Sequence, residues 1–272
     1  MKEKEKMAFI QMEYKSNALL RGTSVKVILP TDGMAGGVEP PFRTVYFLPG
    51  YSTTATELIT YLSMRNQAEL KGLAIVLPDG ENLFYQDLPE RMTLYSTYVG
   101  EELVEVTRKL FPVSDKREDT YIAGISMGGY GALYNGMKYR DTFSKVAAFS
   151  PAVDPGLLLR DGAPGFSDEQ FQGLFGNREG FYGSSRDMTT VWTDRTIENR
   201  PELFLCCGRE DRAVWNAVEP FEKALQEAGI PHEYREGHGD HELYYWEQMM
   251  DPAFSFLAGI EEGTKDKLVI PG

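Results

Sequence analysis

A five-residue turn, Gly124-Ile125-Ser126-Met127-Gly128, joins a short apolar run to a helical pattern. Residues 121–123 before it are typical of a buried strand, and residues 129–140 after it are typical of a helix. A serine on such a sharp strand-to-helix turn takes a strained backbone conformation, and glycines two residues to either side remove side chains that would clash there. The pattern therefore predicts a serine hydroxyl held clear of a sheet, beside the free N–H groups at the start of a helix.

Strand and helix patterns alternate along most of the chain. Five apolar runs are typical of strands buried on both faces, namely 45–48, 74–77, 121–125, 146–149 and 203–206. Helical periods lie between or after them, for example at 98–111 and 214–229, and two opening strands are predicted at 8–14 and 23–29. This alternation predicts an α/β fold with a mostly parallel central sheet and helices on both faces.

Residues 151–200 interrupt the alternation, because they are rich in Gly, Asp, Phe and Arg and contain no strand pattern. Long connections between sheet elements are commonly lids or binding loops, so we expect one domain over residues 1–272 with a lid-like insertion at 151–200. The aromatic residues of the insertion fit either a pocket wall or the insertion's own packing, and the sequence leaves both open for Phe166, Phe171, Phe175, Phe181, Tyr182 and Trp192.

The composition favours a folded, acidic protein. Apolar residues make up 42% of the 272 residues, which suffices for a packed core, and the formal net charge is −13. That charge disfavours binding to nucleic acids or to anionic membranes. No run approaches the roughly 20 apolar residues of a membrane span, and no apolar segment of a secretory signal follows the charged residues 1–6. We therefore expect no nucleic-acid partner and no membrane partner.

The two cysteines, Cys206 and Cys207, are adjacent on a predicted strand. Neighbouring side chains on a strand point to opposite faces, so the two thiols are expected to be free and buried rather than joined. Free thiols, together with the lack of a secretory pattern, favour a reducing, cytoplasmic location.

A serine nucleophile needs a base within hydrogen-bonding distance, and the chain has three histidines. All three follow the last long parallel strand, where the base of a Ser…Asp…His order belongs. His232 lies inside a predicted final strand, 232–235, and a structural role is expected for it. His241 is favoured over His238 as the base, because it directly precedes a predicted helix that can fix its backbone.

The base in turn needs an acid that orients it. Asp211 comes just after the strand 203–206, at the carboxyl end of a strand, where the sites of α/β proteins form. Glu210 is the alternative. Asp79 also follows a strand, but it precedes the serine and is expected to make a turn instead.

Two backbone N–H groups are needed to stabilise the negatively charged oxygen of a tetrahedral intermediate. The N–H of Met127, next to the serine, is one candidate. The other is the N–H of Tyr51, in the loop after the strand 45–48, where Gly50 lets the chain turn beside the substrate. Such a site needs no metal and no organic cofactor.

The chain resembles the esterase D group of α/β-hydrolases, which includes tributyrin esterases and S-formylglutathione hydrolases. The resemblance extends from about residue 45 to 257, and its most specific parts are 124–132, Gly208-x-x-Asp211 and 239–246. It implies the α/β-hydrolase fold and places the catalytic histidine at His241, ahead of an aromatic stretch ending in Trp246.

The resemblance also implies residues that contact the substrate. The segment 78–87 is similar to a loop near the active site of the family, which places Tyr85 there, and Gly50 and Trp246 are expected beside the substrate as well. The chain departs from the family at two places. It has Pro49-Gly50 where His-Gly is common, and Glu242-Leu243 where Asp-Trp is usual.

The function that these residues predict is a serine carboxylester hydrolase. The resemblance implies small-molecule esters with short acyl groups, including acetyl or feruloyl esters on carbohydrates. S-formylglutathione hydrolysis and acyl transfer by the same triad are alternatives, although no basic patch for glutathione is identified. A binding module without catalysis is the alternative from another class of protein, and a homo-oligomer is left open.

Overall fold

The computed structural model describes residues 8–31, 38–160 and 166–263. Residues 161–165 of the predicted insertion 151–200 lie outside the described residues. The strands are β1 (Ala8–Ser16), β2 (Arg21–Leu29), β3 (Arg43–Leu48), β4 (Leu73–Pro78), β5 (Asp87–Leu88), β6 (Thr93–Leu94), β7 (Thr120–Ile125), β8 (Lys145–Phe149), β9 (Glu202–Gly208) and β10 (Glu233–Gly237).

Eight strands form one sheet in the order β1-β2-β4-β3-β7-β8-β9-β10, and β5 pairs with β6 in a separate hairpin. The pairs β1–β2 and β2–β4 are antiparallel, whereas every pair from β4 to β10 is parallel. The mostly parallel sheet and the α/β-hydrolase fold are thus confirmed. The carboxyl ends of β3, β7 and β9 meet at one edge, where sites of such sheets form.

The helices are α1 (Ala55–Tyr61), α2 (Met64–Lys71), α3 (Tyr95–Thr97), α4 (Leu103–Leu110), α5 (Met127–Lys138), α6 (Pro155–Arg160), α7 (Asp168–Phe175), α8 (Arg178–Phe181), α9 (Met188–Thr193), α10 (Trp215–Glu227) and α11 (Leu243–Ala258). One wide turn, Tyr98–Glu102, joins α3 to α4. The helix predicted at 98–111 therefore begins with a looser turn. The predicted strand 232–235 starts one residue later, so His232 precedes it.

Buried apolar residues cover both faces of the sheet, since neighbouring positions such as Val45 and Tyr46 belong to different clusters. Helices therefore pack on both sides, as parallel strands require. Cys206 and Cys207 are both buried and free. Among the described residues, no helix is both long and apolar enough to cross a membrane.

The described residues of the insertion, 151–160 and 166–200, contain four short helices, α6 to α9. Its rings pack mainly against one another: the centroids of Phe171, Phe175 and Phe181 lie 5.3–5.5 Å apart. Trp192 is buried against α5 and donates a hydrogen bond from Nε1 to Leu133 O. Two rings of the insertion also reach outside it, since the ring centroids of Phe166 and Phe175 lie 5.2 and 5.3 Å from that of Phe84.

Candidate active site

Ser126 occupies the turn between β7 and α5 in a conformation that few non-glycine residues adopt. Its φ and ψ are 57° and −116°. A Cβ atom at Gly124 would clash with the carbonyl of Gly128, and one at Gly128 would clash with the carbonyl of Leu48. The two glycines are therefore required by close backbone contact. Such strained residues are stable only where the surroundings fix them, and they concentrate at functional sites.

A continuous chain of hydrogen bonds links Ser126 to a buried acid. His241 Nε2 lies 2.9 Å from Ser126 Oγ, and His241 Nδ1 lies 2.8 Å from Asp211 Oδ2. Asp211 is fully buried, and its other oxygen accepts hydrogen bonds from the N–H groups of Ala213 and Val214, each at 3.1 Å. In this geometry His241 can take the serine proton while Asp211 holds the imidazole in one orientation.

Cys207 adds a contact behind the acid that the sequence did not indicate. Its Sγ lies 3.9 Å from Asp211 Oδ2 and 3.6 Å from Gly208 O. Burial raises the pKa of the Cys207 thiol, so the sulfur stays protonated and can act as a weak donor. The thiol therefore adds no charge beside Asp211.

The alternative base and acid pair with each other away from Ser126. His238 is exposed, and its Nδ1 lies 3.0 Å from Glu210 Oε1. The N–H of Gly239 also donates to Glu210, and these two hydrogen bonds lower the pKa of that carboxyl. Of the two acid–histidine pairs in this loop region, only Asp211–His241 reaches the nucleophile.

The other two candidates have structural contacts. His232 Nδ1 lies 2.8 Å from Ile230 O, and its Nε2 lies 3.5 Å from the mostly buried Glu222. Asp79 accepts a hydrogen bond at 2.9 Å from the N–H of Ala55, at the start of α1. Both residues therefore hold backbone segments in place.

The loop after β3 lies directly against the nucleophile. A Cβ atom at Gly50 would be 3.5 Å from Ser126 Cβ, so the loop backbone passes close to the reacting hydroxyl. Tyr51 follows in this loop, and Met127 is the first residue of α5. The first N–H groups of a helix have no partner within the helix, which leaves that of Met127 suited to an oxyanion.

Tyr85 supports the loop 49–52, which we call the oxyanion loop because it contains the candidate donor Tyr51, and does not contact substrate as the family resemblance implies. Its ring is 1% exposed, and its hydroxyl donates to Pro49 O at 2.7 Å. Asn82 Oδ1 accepts from the N–H of Ser52 at 2.7 Å. We call this pair of contacts the loop brace. The φ angles of Asn82, Phe84, Tyr85 and Ser52 all lie between 51° and 58°, so strain is concentrated here.

Two clefts flank the Ser126–His241 pair, and both are also lined by Tyr51. The first, the open cleft, has a volume of about 190 Å³ and is further lined by Gly50, Thr53, Glu57, Leu58, Tyr61, Ile125, Leu243 and Trp246. The second, the apolar cleft, has a volume of about 210 Å³ and is further lined by Phe84, Met127, Ala152, Leu158, Phe166, Ala213 and Val214. Gly50 and Trp246 thus lie where a substrate can reach them.

Trp246 also packs against the base. The rings of His241 and Trp246 are perpendicular, with centroids 5.1 Å apart. An edge-to-face contact of this kind restricts the imidazole to one plane. Trp246 therefore lies beside both the open cleft and His241.

Comparisons with known proteins identify the family of the chain. The model of the Esterase family matches residues 16–257. An acetyl esterase of Caldicellulosiruptor saccharolyticus is 30% identical over 267 residues, covering 94% of this chain and all of that relative. An S-formylglutathione hydrolase of Paracoccus denitrificans is 30% identical over 54% of this chain and 58% of its own length.

A solved structure extends the likeness to the fold. The fluorophosphonate-binding serine hydrolase F of Staphylococcus aureus, 26% identical, superposes with a TM-score of 0.81 over 93% of this chain and 98% of that one. The family match spans most of the chain, and the acetyl esterase matches along its whole length. The chain therefore belongs to the Esterase family of α/β-hydrolases and is an ester-hydrolysing enzyme.

Proposed function

We propose that this chain hydrolyses carboxylic esters with short acyl groups through a covalent acyl-enzyme on Ser126. The observation that carries the proposal is the hydrogen-bonded series Ser126–His241–Asp211, with contacts of 2.9 and 2.8 Å. Ser126 Oγ attacks the ester carbonyl while His241 Nε2 takes its proton. Asp211 stays ionised and stabilises the imidazolium that forms.

The negative charge that develops on the carbonyl oxygen is stabilised by the N–H groups of Met127 and Tyr51. The carbon–oxygen bond to the alcohol then breaks, and His241 returns the proton to the departing alcohol. A water molecule next loses a proton to His241 and attacks the acyl carbonyl. The acid leaves, and the proton returns to Ser126.

Short acyl groups are supported by the full-length match to an acetyl esterase and by the size of the apolar cleft. Hydrolysis of S-formylglutathione is the second candidate, because an S-formylglutathione hydrolase of Staphylococcus aureus superposes with a TM-score of 0.81 at 26% identity, covering 93% of this chain and 99% of that one. Carbohydrate esters, a cytoplasmic location and a homo-oligomer remain predictions from the sequence.

The test is a comparison of 4-nitrophenyl acetate, butyrate and octanoate with methyl ferulate and S-formylglutathione. We expect the highest kcat/KM on the acetate or butyrate. Ser126→Ala and His241→Ala should each lower kcat by about 10⁴-fold or more, since triad members act as a unit. His238→Ala is the matched control and should retain activity.

Covalent labelling tests the chemistry independently of the substrate. A fluorophosphonate probe should add one label, on the peptide that contains Ser126. Folded protein that neither turns over an ester nor accepts the label would instead be a binding module. Detection of transesterified product in the presence of an added alcohol would identify acyl transfer.

A further inference from the structure

The two clefts beside Ser126 have walls of different character. Phe84, Ala152 and Val214 in the apolar cleft are at most 2% exposed. By contrast, Tyr61 and Leu243 in the open cleft are 61% and 37% exposed. The open cleft thus has exposed side chains on part of its wall, next to the buried Leu58 and Ile125.

The order in which the two products leave indicates which cleft holds the acyl group and which holds the alcohol. In the proposed mechanism the alcohol leaves first, while the acyl group stays bound to Ser126 until water arrives. A group that remains attached is best held between buried apolar walls, and a group that must leave, or that belongs to a larger molecule, needs an open path. The geometry therefore favours the acyl group in the apolar cleft and the alcohol in the open cleft.

One carboxylate, that of Glu57, lines the open cleft, and in the described part of the chain no lysine or arginine lines it. Its position is fixed by the start of α1. Glu57 Oε2 accepts from Thr54 N at 2.8 Å and from Thr54 Oγ1 at 3.1 Å. This reciprocal cap fixes the Glu57 carboxylate at the first turn of α1.

We propose that Glu57 makes the open cleft a subsite for alcohols without negative charge, and that it selects against anionic leaving groups such as glutathione. The inference rests on the proposed esterase function. A carboxylate of the leaving group would lie close to that of Glu57 in a cleft without a compensating cation, and like charges at short range repel. Neutral or cationic alcohols avoid this cost.

Glu57→Gln tests the proposal, because glutamine at this position keeps the reciprocal cap while removing the charge. The substrates are three phenyl acetates that differ in one para substituent: carboxylate, nitro and trimethylammonium. For each, the ratio of kcat/KM in the variant to that in the wild type cancels the intrinsic reactivity of the ester. We expect the ratio for the carboxylate to exceed that for the nitro compound about fivefold, and the ratio for trimethylammonium to fall below it.

Measurements at several salt concentrations and a matched variant show whether the change in kcat/KM comes from the charge of Glu57 in the cleft or from the net charge of the protein. The differences should shrink at high ionic strength, because salt screens exposed charges. Glu105→Gln removes the same charge from α4, where Glu105 pairs with Lys109. Its three ratios should stay equal, and a shift as large as that of Glu57→Gln would overturn the local assignment.

A fourth substrate tests which cleft holds the alcohol. The mono-4-nitrophenyl ester of succinic acid carries its negative charge on the acyl group. If Glu57→Gln raised turnover of this ester but not of the carboxylate-bearing phenyl acetate, the assignment of the clefts would be reversed. Equal ratios for all substrates would overturn the proposed subsite, whereas hydrolysis of the nitro compound by the wild type would still support the esterase.

Discussion

The catalytic edge of the sheet and the insertion at 151–200 are held together by different forces. At the catalytic edge, the turn around Ser126 and the loop 49–52 are fixed by hydrogen bonds and by backbone contacts too close for a side chain. In the insertion, rings pack on rings at centroid distances of 5.3–5.5 Å. A hydrogen bond weakens steeply when the distance or angle between donor and acceptor changes. Apolar packing tolerates substitutions that keep the volume and shape of the side chain similar.

The difference indicates where the chain tolerates change. Each strained residue at the catalytic edge costs about 1–3 kcal/mol and persists only because its neighbours fix it. Each aromatic pair in the insertion contributes about 0.5–1.5 kcal/mol beyond area burial, and several pairs share the same rings. Single substitutions should therefore lower the chemical rate at the edge, while in the insertion they should mainly alter cleft shape.

The largest effect is expected for Asp211→Asn. An amide cannot hold His241 in the tautomer that accepts the serine proton, so kcat should fall by about 10³- to 10⁴-fold. Steady-state kinetics on 4-nitrophenyl acetate measures this loss. Glu210→Gln is the control next to it and should change kcat by less than about twofold, because Glu210 pairs with the exposed His238. Comparable losses in both variants would contradict the assigned roles.

Gly128→Ala should lower kcat by about 10²- to 10³-fold. A Cβ atom there would meet the carbonyls of Leu48 and Pro49, so the oxyanion loop would be pushed away from Ser126. Gly22→Ala, on β2, is the control, since a Cβ atom there has no neighbour within 4 Å. Circular dichroism should show that both variants fold. A fully active Gly128→Ala enzyme would mean that the loop can shift without loss of catalysis.

Removal of one hydroxyl from the loop brace should have an intermediate effect. Tyr85→Phe leaves Pro49 O without its donor, and we expect kcat to fall about tenfold with little change in KM. Affinity for a boronic acid, which forms a tetrahedral adduct on the serine, should fall in parallel.

Tyr130→Phe is the matched control for the loop brace. Tyr130 is equally buried and donates to Arg186 O at 2.7 Å, but it lies against the insertion and not under the oxyanion loop. It should retain kcat and boronic acid affinity even if its stability falls. If the two variants lost the same activity, the effect of Tyr85 would be one of general stability.

The smallest effect is expected in the insertion. Phe166→Leu enlarges the apolar cleft, so the ratio of octanoate to acetate turnover should rise a few-fold. Phe171→Leu removes a ring that packs within the insertion and does not line this cleft, and it should leave the ratio unchanged. An acyl-chain profile for each variant measures the difference. A large loss of acetate turnover in Phe166→Leu would show that the insertion supports the catalytic edge directly.

The positions of Ser126, Asp211 and His241 could be predicted from the sequence because each follows a recognisable strand. Parallel strands end at one edge, so residues far apart in the chain meet there. The brace by Tyr85 could not be predicted, since it depends on left-handed φ angles at non-glycine residues, which no sequence pattern indicates. The family resemblance correctly marked the loop near the active site but not that this ring lies beneath it.

The position of Glu57 in the open cleft could not be predicted from the sequence for a different reason. Helix α1 is short, and its pattern of apolar residues is too brief to indicate a helix. One signal was present: Thr54 followed three positions later by Glu57 is the sequence signature of a reciprocal helix cap. In the insertion, the short helices have no strand between them, so their arrangement depends on packing that a sequence pattern does not determine.

Of the three residues of the proposed triad, His241 has the weakest structural support. His241 follows β10, a five-residue strand that pairs with β9 and, among the described residues, with no strand on its other side. Strands at the border of a sheet open at a lower free energy than those in its centre. We therefore expect the enzyme to lose activity by local opening of β10 and of the loop that carries His241, while the centre of the sheet is still folded.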